Sequence, residues 1–181
     1  MERDVNLGEY VWGYLHESIG VYACFLVGFL VPFTIGHPQI LVGAIVNATL
    51  IAAAIQYRFR QALPLLFAPS LGVLARGLIF GPFTPSLAIM LPFIWAGNAI
   101  LVWTVMKLYK DRKANYWITL GSAAAAKSGF LFSIAFALVA LSILPPLFLA
   151  AMGLDQLLTA LAGGAMAFGV HKSGVLRAVG F

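Results

Sequence analysis

Gly121-Ser-Ala-Ala-Ala-Ala-Lys-Ser-Gly-Phe130 lies inside an apolar run, residues 116–144, that is too long for a core helix of a soluble domain. At the helical rise of 1.5 Å per residue, Lys127 sits roughly 16 Å from Tyr116, near the midplane of a hydrocarbon layer about 30 Å thick. A charge at that depth costs at least about 2.5 kcal/mol to insert, so it faces a protein interior or a wet cavity. The bland alternative is a lysine that snorkels or pairs for structural reasons. Snorkelling is difficult from the midplane, and depth therefore favours a functional group. Gly121, Ala125 and Gly129 recur every four residues, a ridge along which another helix backbone can approach closely.

Composition places the whole chain in the same class. Of 181 residues, 62% are hydrophobic and 9% charged, and the mean hydropathy is +0.97. Such a chain is an integral membrane protein, with length for about six spans and no soluble domain of its own. The net charge of +5 does not point to nucleic acid, because the basic residues gather at span ends, where orientation explains them. Cys24 is the one cysteine, which excludes an internal disulfide and a four-cysteine iron–sulfur site. Met-Glu-Arg-Asp lacks the basic start of a secretory peptide, so the first span is expected to be retained.

Residues 1–17 form the one sizeable polar segment, and Leu7, Tyr10, Val11, Tyr14 and Leu15 share a face suited to an interfacial helix. Spans are expected over 18–35, 39–55, 62–80, 87–106, 116–144 and from Asp155 to about 170. Gly20, Cys24 and Gly28 make a small-residue stripe on the first, serving an internal neighbour or a partner subunit equally well. Pro64 fits a helix start, whereas Pro69 should kink the third span and free a carbonyl that needs another partner.

Arg3, Arg58, Arg60, Lys107, Lys110, Arg112, Lys113, Lys172 and Arg177 all fall on one side of this alternation. The opposite connections, 36–39, 81–86 and 145–155, carry no lysine or arginine. By the positive-inside rule both termini are cytoplasmic. The fold expected is all-α: a polytopic membrane protein of six transmembrane helices, with a cytoplasmic or interfacial segment over 1–17, a membrane domain over 18–170 and a basic tail over 171–181. No internal repeat is visible, which weakens an inverted-repeat carrier.

On that topology the polar residues cluster. His37, Gln39, Arg76, Asp155 and Gln156 fall near the outer surface, while Asn47, Asn98 and Lys127 reach the midplane. The simplest shape is a cup open to the outside with a closed cytoplasmic half, suited to ligand capture rather than to an open channel. Each residue has a structural alternative. Arg76 and Asp155 can form a clamp; Asn47 and Asn98 can bond between helices; Trp95 can face lipid rather than stack on a ligand. His37 in a Gly-His-Pro turn reads as a solvated loop residue, and without a second histidine there a metal site is weak. Arg76 and Lys127 outnumber the one nearby acid, so an anionic small molecule is the expected ligand. No paired carboxylates, nucleophile–base pair or phosphate-cradling glycine loop point to an enzyme, and no cofactor is implied.

Four stretches, Gly43-Ala-Ile-Val-Asn-Ala48, Ala62-Leu-Pro-Leu-Leu-Phe-Ala-Pro-Ser70, Leu91-Pro-Phe-Ile-Trp-Ala-Gly-Asn98 and Leu157-Leu-Thr-Ala-Leu-Ala-Gly-Gly164, look like a family of small six-helix prokaryotic membrane proteins. With its length, topology and small-residue stripes, the chain resembles the substrate-capture (S) components of energy-coupling factor transporters. The resemblance implies a vitamin or related micronutrient held by the outer helix halves, and a transmembrane coupling subunit driven by ATPases. It makes Gly20, Cys24 and Gly28 a docking stripe, and it specifies no particular vitamin. The expectation is a plasma-membrane protein that captures a small solute at its outer face for an energised partner. Two rivals stay open: an anchoring subunit whose charges fix helix packing, and a self-contained proton-coupled carrier titrating at Lys127.

Overall fold

The computed structural model describes residues 7–35, 37–80 and 83–173, with side chains over 18–35, 37–77 and 83–173. Gly36, the start of the 1–17 segment with Arg3, and the tail beyond Ser173 with Arg177 lie outside the described residues. Six long helices and one short one form in order: α1 (Leu7–Thr34), α2 (Gln39–Gln56), α3 (Phe59–Phe80), α4 (Thr84–Val105), α5 (Tyr116–Ala140), α6 (Leu147–Met152) and α7 (Leu154–Lys172). No strand occurs among the described residues. Four stretches, Gln39–Gln56, Thr84–Asp111, Tyr116–Ala140 and Leu147–Lys172, are long and apolar enough to cross a membrane. Large apolar residues also face outward, among them Trp103, Ile118, Phe136 and Leu141. A bundle apolar on its outside as well as inside is that of a membrane protein.

Local chemistry sets the helix ends. Asn115 caps α5, its Oδ1 accepting from the main-chain N–H groups of Trp117 and Ile118. Gln61 Oε1 accepts from Arg58 N at 2.8 Å, so α3 begins at Phe59, ahead of the expected 62. The α5 helix stops at Ala140 rather than 144, since Pro145 has no N–H to offer Leu141 O and its ring would clash with that carbonyl in a continuing helix. Ser142 turns the chain with a φ of 56°, and Ile143 N bonds back to Leu138 O. Residues 147–152, expected as a connection, coil into α6. The α4 helix continues into a π-helical turn, Met106–Asp111, anchored where Lys110 Nζ donates to Tyr57 O at 2.8 Å.

Packing follows the small residues. A Cβ on Gly163 would lie 2.5 Å from Ala44 O and 2.7 Å from Ala48 N, and one on Gly43 would lie 2.7 Å from Thr159 Cγ2. The α2 and α7 backbones therefore touch, running in the same direction. Gly28 meets Ala68 and Pro69 of α3, and a Cβ on Gly72 would collide with Phe29 O, so α1 and α3 form a second parallel pair. By contrast, nothing among the described residues comes within 4 Å of a Cβ on Gly121 or Gly129. The α5 ridge expected to receive a helix is open; Gly97, Leu120 and Leu131 make the close contacts of this region instead.

With α2, α4 and α7 running against α1, α3 and α5, Arg58, Arg60, Lys107, Lys110, Arg112, Lys113 and Lys172 gather at one end of the bundle. Gln39, Thr84, α6 and Asp155 lie at the other, and Lys127 is near the middle of α5. One buried cluster, around Leu50, Leu65, Leu101 and Leu120, fills the basic end. A second, around Met90, Leu131, Phe148 and Met152, braces the opposite end.

Candidate functional site

Lys127 is 2% exposed, and its Nζ donates to Asn47 Oδ1 at 2.7 Å. Asn47 Nδ2 in turn donates to Gly43 O at 2.9 Å and to Thr159 Oγ1 at 3.1 Å. The Thr159 hydroxyl donates to Asp155 O at 2.7 Å, one turn back along α7. The chain of bonds thus ties α5 to α2 and α2 to α7. Glycines make it possible: without Gly43 and Gly163 the α2 and α7 backbones would stand too far apart for Asn47 to reach Thr159.

This polar floor closes a cavity of about 160 Å³ lined by Lys127, Asn47, Thr159, Asn98, Ser70, Gln39, Asp155 and Gln156, with Val46, Ile94 and Met152 among its apolar walls. An ammonium has three donors, of which one is met here by a neutral amide oxygen. Among the described residues the ion pair present is Lys107–Asp111, far off in the basic end, and no acid pairs with Lys127. A buried cation that makes no ion pair among the described residues, lining a void, is set up to receive an anionic group.

Sequence-predicted residues divide into three groups. Lys127, Asn47, Asn98, Gln39, Asp155 and Gln156 all line this cavity. Arg76 lines a neighbouring cavity of about 300 Å³ that shares Gln39, Val73, Leu87, Ala151 and Met152 with the first. It makes no ion pair with Asp155, so the clamp envisaged between them does not form. Trp95 and His37 line neither cavity. Trp95 instead holds α4 to α3, its Nε1 donating to Ser70 Oγ at 2.6 Å and its ring edge-on to Phe67. His37 is exposed beside Gly36. Of the stripe on α1, Gly28 is buried against α3 of the same chain and Cys24 packs on the core at the basic end.

Asn98 has a double role. Its Nδ2 donates to Leu66 O at 3.0 Å, three residues before Pro69. The carbonyl that Pro69 leaves without its intrahelical donor is the adjacent Leu65 O, so this bond ties α4 to α3 one residue along rather than replacing the lost one. Thr159 and Ser70 are the residues that sequence reasoning missed. Thr159 falls four residues after Asp155, on the same helix face, which is a signal; Ser70 carries none, since a hydroxyl in an apolar helix usually satisfies itself on its own backbone. Comparison with protein-family profiles, with curated proteins and with solved structures finds no match to this chain.

Proposed function

We propose that this chain is a six-span plasma-membrane protein, with both termini in the cytoplasm, that captures a small anionic solute from the outer face and passes it to an energised partner. The observation that carries the reading is the unpaired Lys127 ammonium, held by Asn47 at the floor of a cavity on the side away from the basic end. The basic end, facing the cytoplasm under the positive-inside rule, is filled by the apolar cluster around Leu50 and Leu101. The cavity thus serves one side only, as capture requires and a channel does not. Arg76 in the adjoining cavity adds a second cation on the way in. Transfer from capture to uptake is assigned to a separate coupling subunit with ATPases, as in the S components that the sequence resembles.

A thermal-shift screen of the detergent-purified protein against small carboxylates, vitamins and uncharged analogues tests it. A specific anionic ligand at 100 times its Kd stabilises by about 2.7 kcal/mol, a readily measured rise in melting temperature. The rise should vanish in Lys127→Met. The anchoring reading draws support from Asn98 and Trp95, which bond between helices. It is favoured instead if no solute shifts the melt and Lys127→Met only stabilises.

A further inference from the structure

The cavity carries charge at two places. Lys127 marks one; Asp155 lines the same void and marks the other. Among the described residues the Asp155 carboxylate takes part in no ion pair, and it is the main-chain carbonyl of Asp155 that accepts from the Thr159 hydroxyl. Asp155 and Thr159 are four apart on α7, which sets their Cα atoms about 6 Å apart along the axis. Thr159 is one hydrogen bond from Asn47, and Asn47 holds Lys127. The two charged residues thus line one void and are linked through the Asn47–Thr159 hydrogen bond. Asn47 tethers the ammonium and keeps it from closing onto the acid, while Val46, Ile94 and Met152 supply apolar lining.

We infer that the captured solute is dipolar: a carboxylate for Lys127 and a cationic nitrogen for Asp155, joined by a short apolar chain. The inference rests on the capture reading and narrows it. Volume bounds the solute, since a cavity of about 150 Å³ accommodates a benzene ring, whereas this one measures about 160 Å³. A short straight-chain ω-amino carboxylate fits that volume with its two ends free to meet the two groups. Each end then makes a charge-assisted hydrogen bond in a poorly solvated place, where such bonds are strongest.

Isothermal titration of the full chain in detergent, with ω-amino carboxylates of increasing length, chain-matched monocarboxylates and chain-matched diamines, tests the assignment. The expected result is an optimum at one short chain length, with chain-matched monocarboxylates and diamines at least about tenfold weaker. Asp155→Asn should erase that preference while monocarboxylate binding persists, and Asp155→Glu should shorten the preferred chain by one carbon. Lys127→Met should abolish binding of both acid series. Equal affinity of amino and plain carboxylates, or a preference that survives Asp155→Asn, overturns the dipolar solute and leaves anion capture standing. No binding of any small anion by the wild-type protein overturns both.

Discussion

Lys127→Met replaces a buried cation with an apolar side chain of similar length. Breaking a charge out of a satisfied pair is costly, but Lys127 has a single neutral partner, and swapping it for a hydrophobe also removes its desolvation. The acceptor Asn47 Oδ1 is left without that donor, a loss of about 1–3 kcal/mol. We expect a melting temperature near wild type, together with complete loss of anion binding by titration. Thr159→Val probes the neighbouring bond: Asn47 keeps Gly43 O but loses the hydroxyl, so ligand affinity should fall by about 0.5–1.5 kcal/mol, and Thr159→Ser should restore it. At this scale the sequence was informative wherever a residue was out of place in lipid. Lys127, Asn47 and Asn98 all reached the cavity because none can face hydrocarbon cheaply. Trp95 and His37 are at ease at an interface or in a turn, so their type said nothing of where they point.

Helix pairs depend on where backbones meet. At Gly163 a Cβ would press on Ala44 O, Ala48 N and Asn47 Cβ, all parts of the backbone or base of α2. Gly163→Ala should therefore destabilise by about 1–3 kcal/mol and weaken ligand binding as Asn47 moves. Gly121→Ala and Gly129→Ala meet nothing among the described residues and gain helix propensity, so the variants should match wild type in stability or gain up to about 1 kcal/mol. Thermal melts of the three variants in one detergent check the contrast. Gly163 too lies among small residues, Ala160, Gly164 and Ala167, and the sequence alone could not rank the three. Periodicity marks a face that permits close approach; which neighbour uses it is a matter of how the helices are arranged. Asn115 was more legible, an N-cap residue directly ahead of an apolar run, and Asn115→Ala should cost about 1 kcal/mol.

For the molecule as a whole, the segregation of charge makes a prediction about sidedness. In a Cys24→Ala background, Ile143→Cys lies exposed at the end near α6, and Arg112→Cys lies exposed at the basic end. A membrane-impermeant maleimide should label the first in intact cells and the second only after permeabilisation. Labelling of Arg112→Cys in intact cells would reverse the orientation and turn the cavity toward the cytoplasm.

The all-helical class and the spacing of apolar runs were determined by sequence alone, because a backbone in hydrocarbon must satisfy its own hydrogen bonds and an apolar stretch must be long enough to cross. The same constraint exposed Lys127 as a residue needing a polar neighbourhood. Which residues supply that neighbourhood was decided only by tertiary structure. Asn47 and Thr159 are 112 positions apart and meet because Gly43 and Gly163 let two backbones touch. Ser70 carries no penalty in a helix, hence no sequence signal, until a neighbouring helix brings a donor within reach, and the spacing of Thr159 from Asp155 names no partner until α2 lies beside α7.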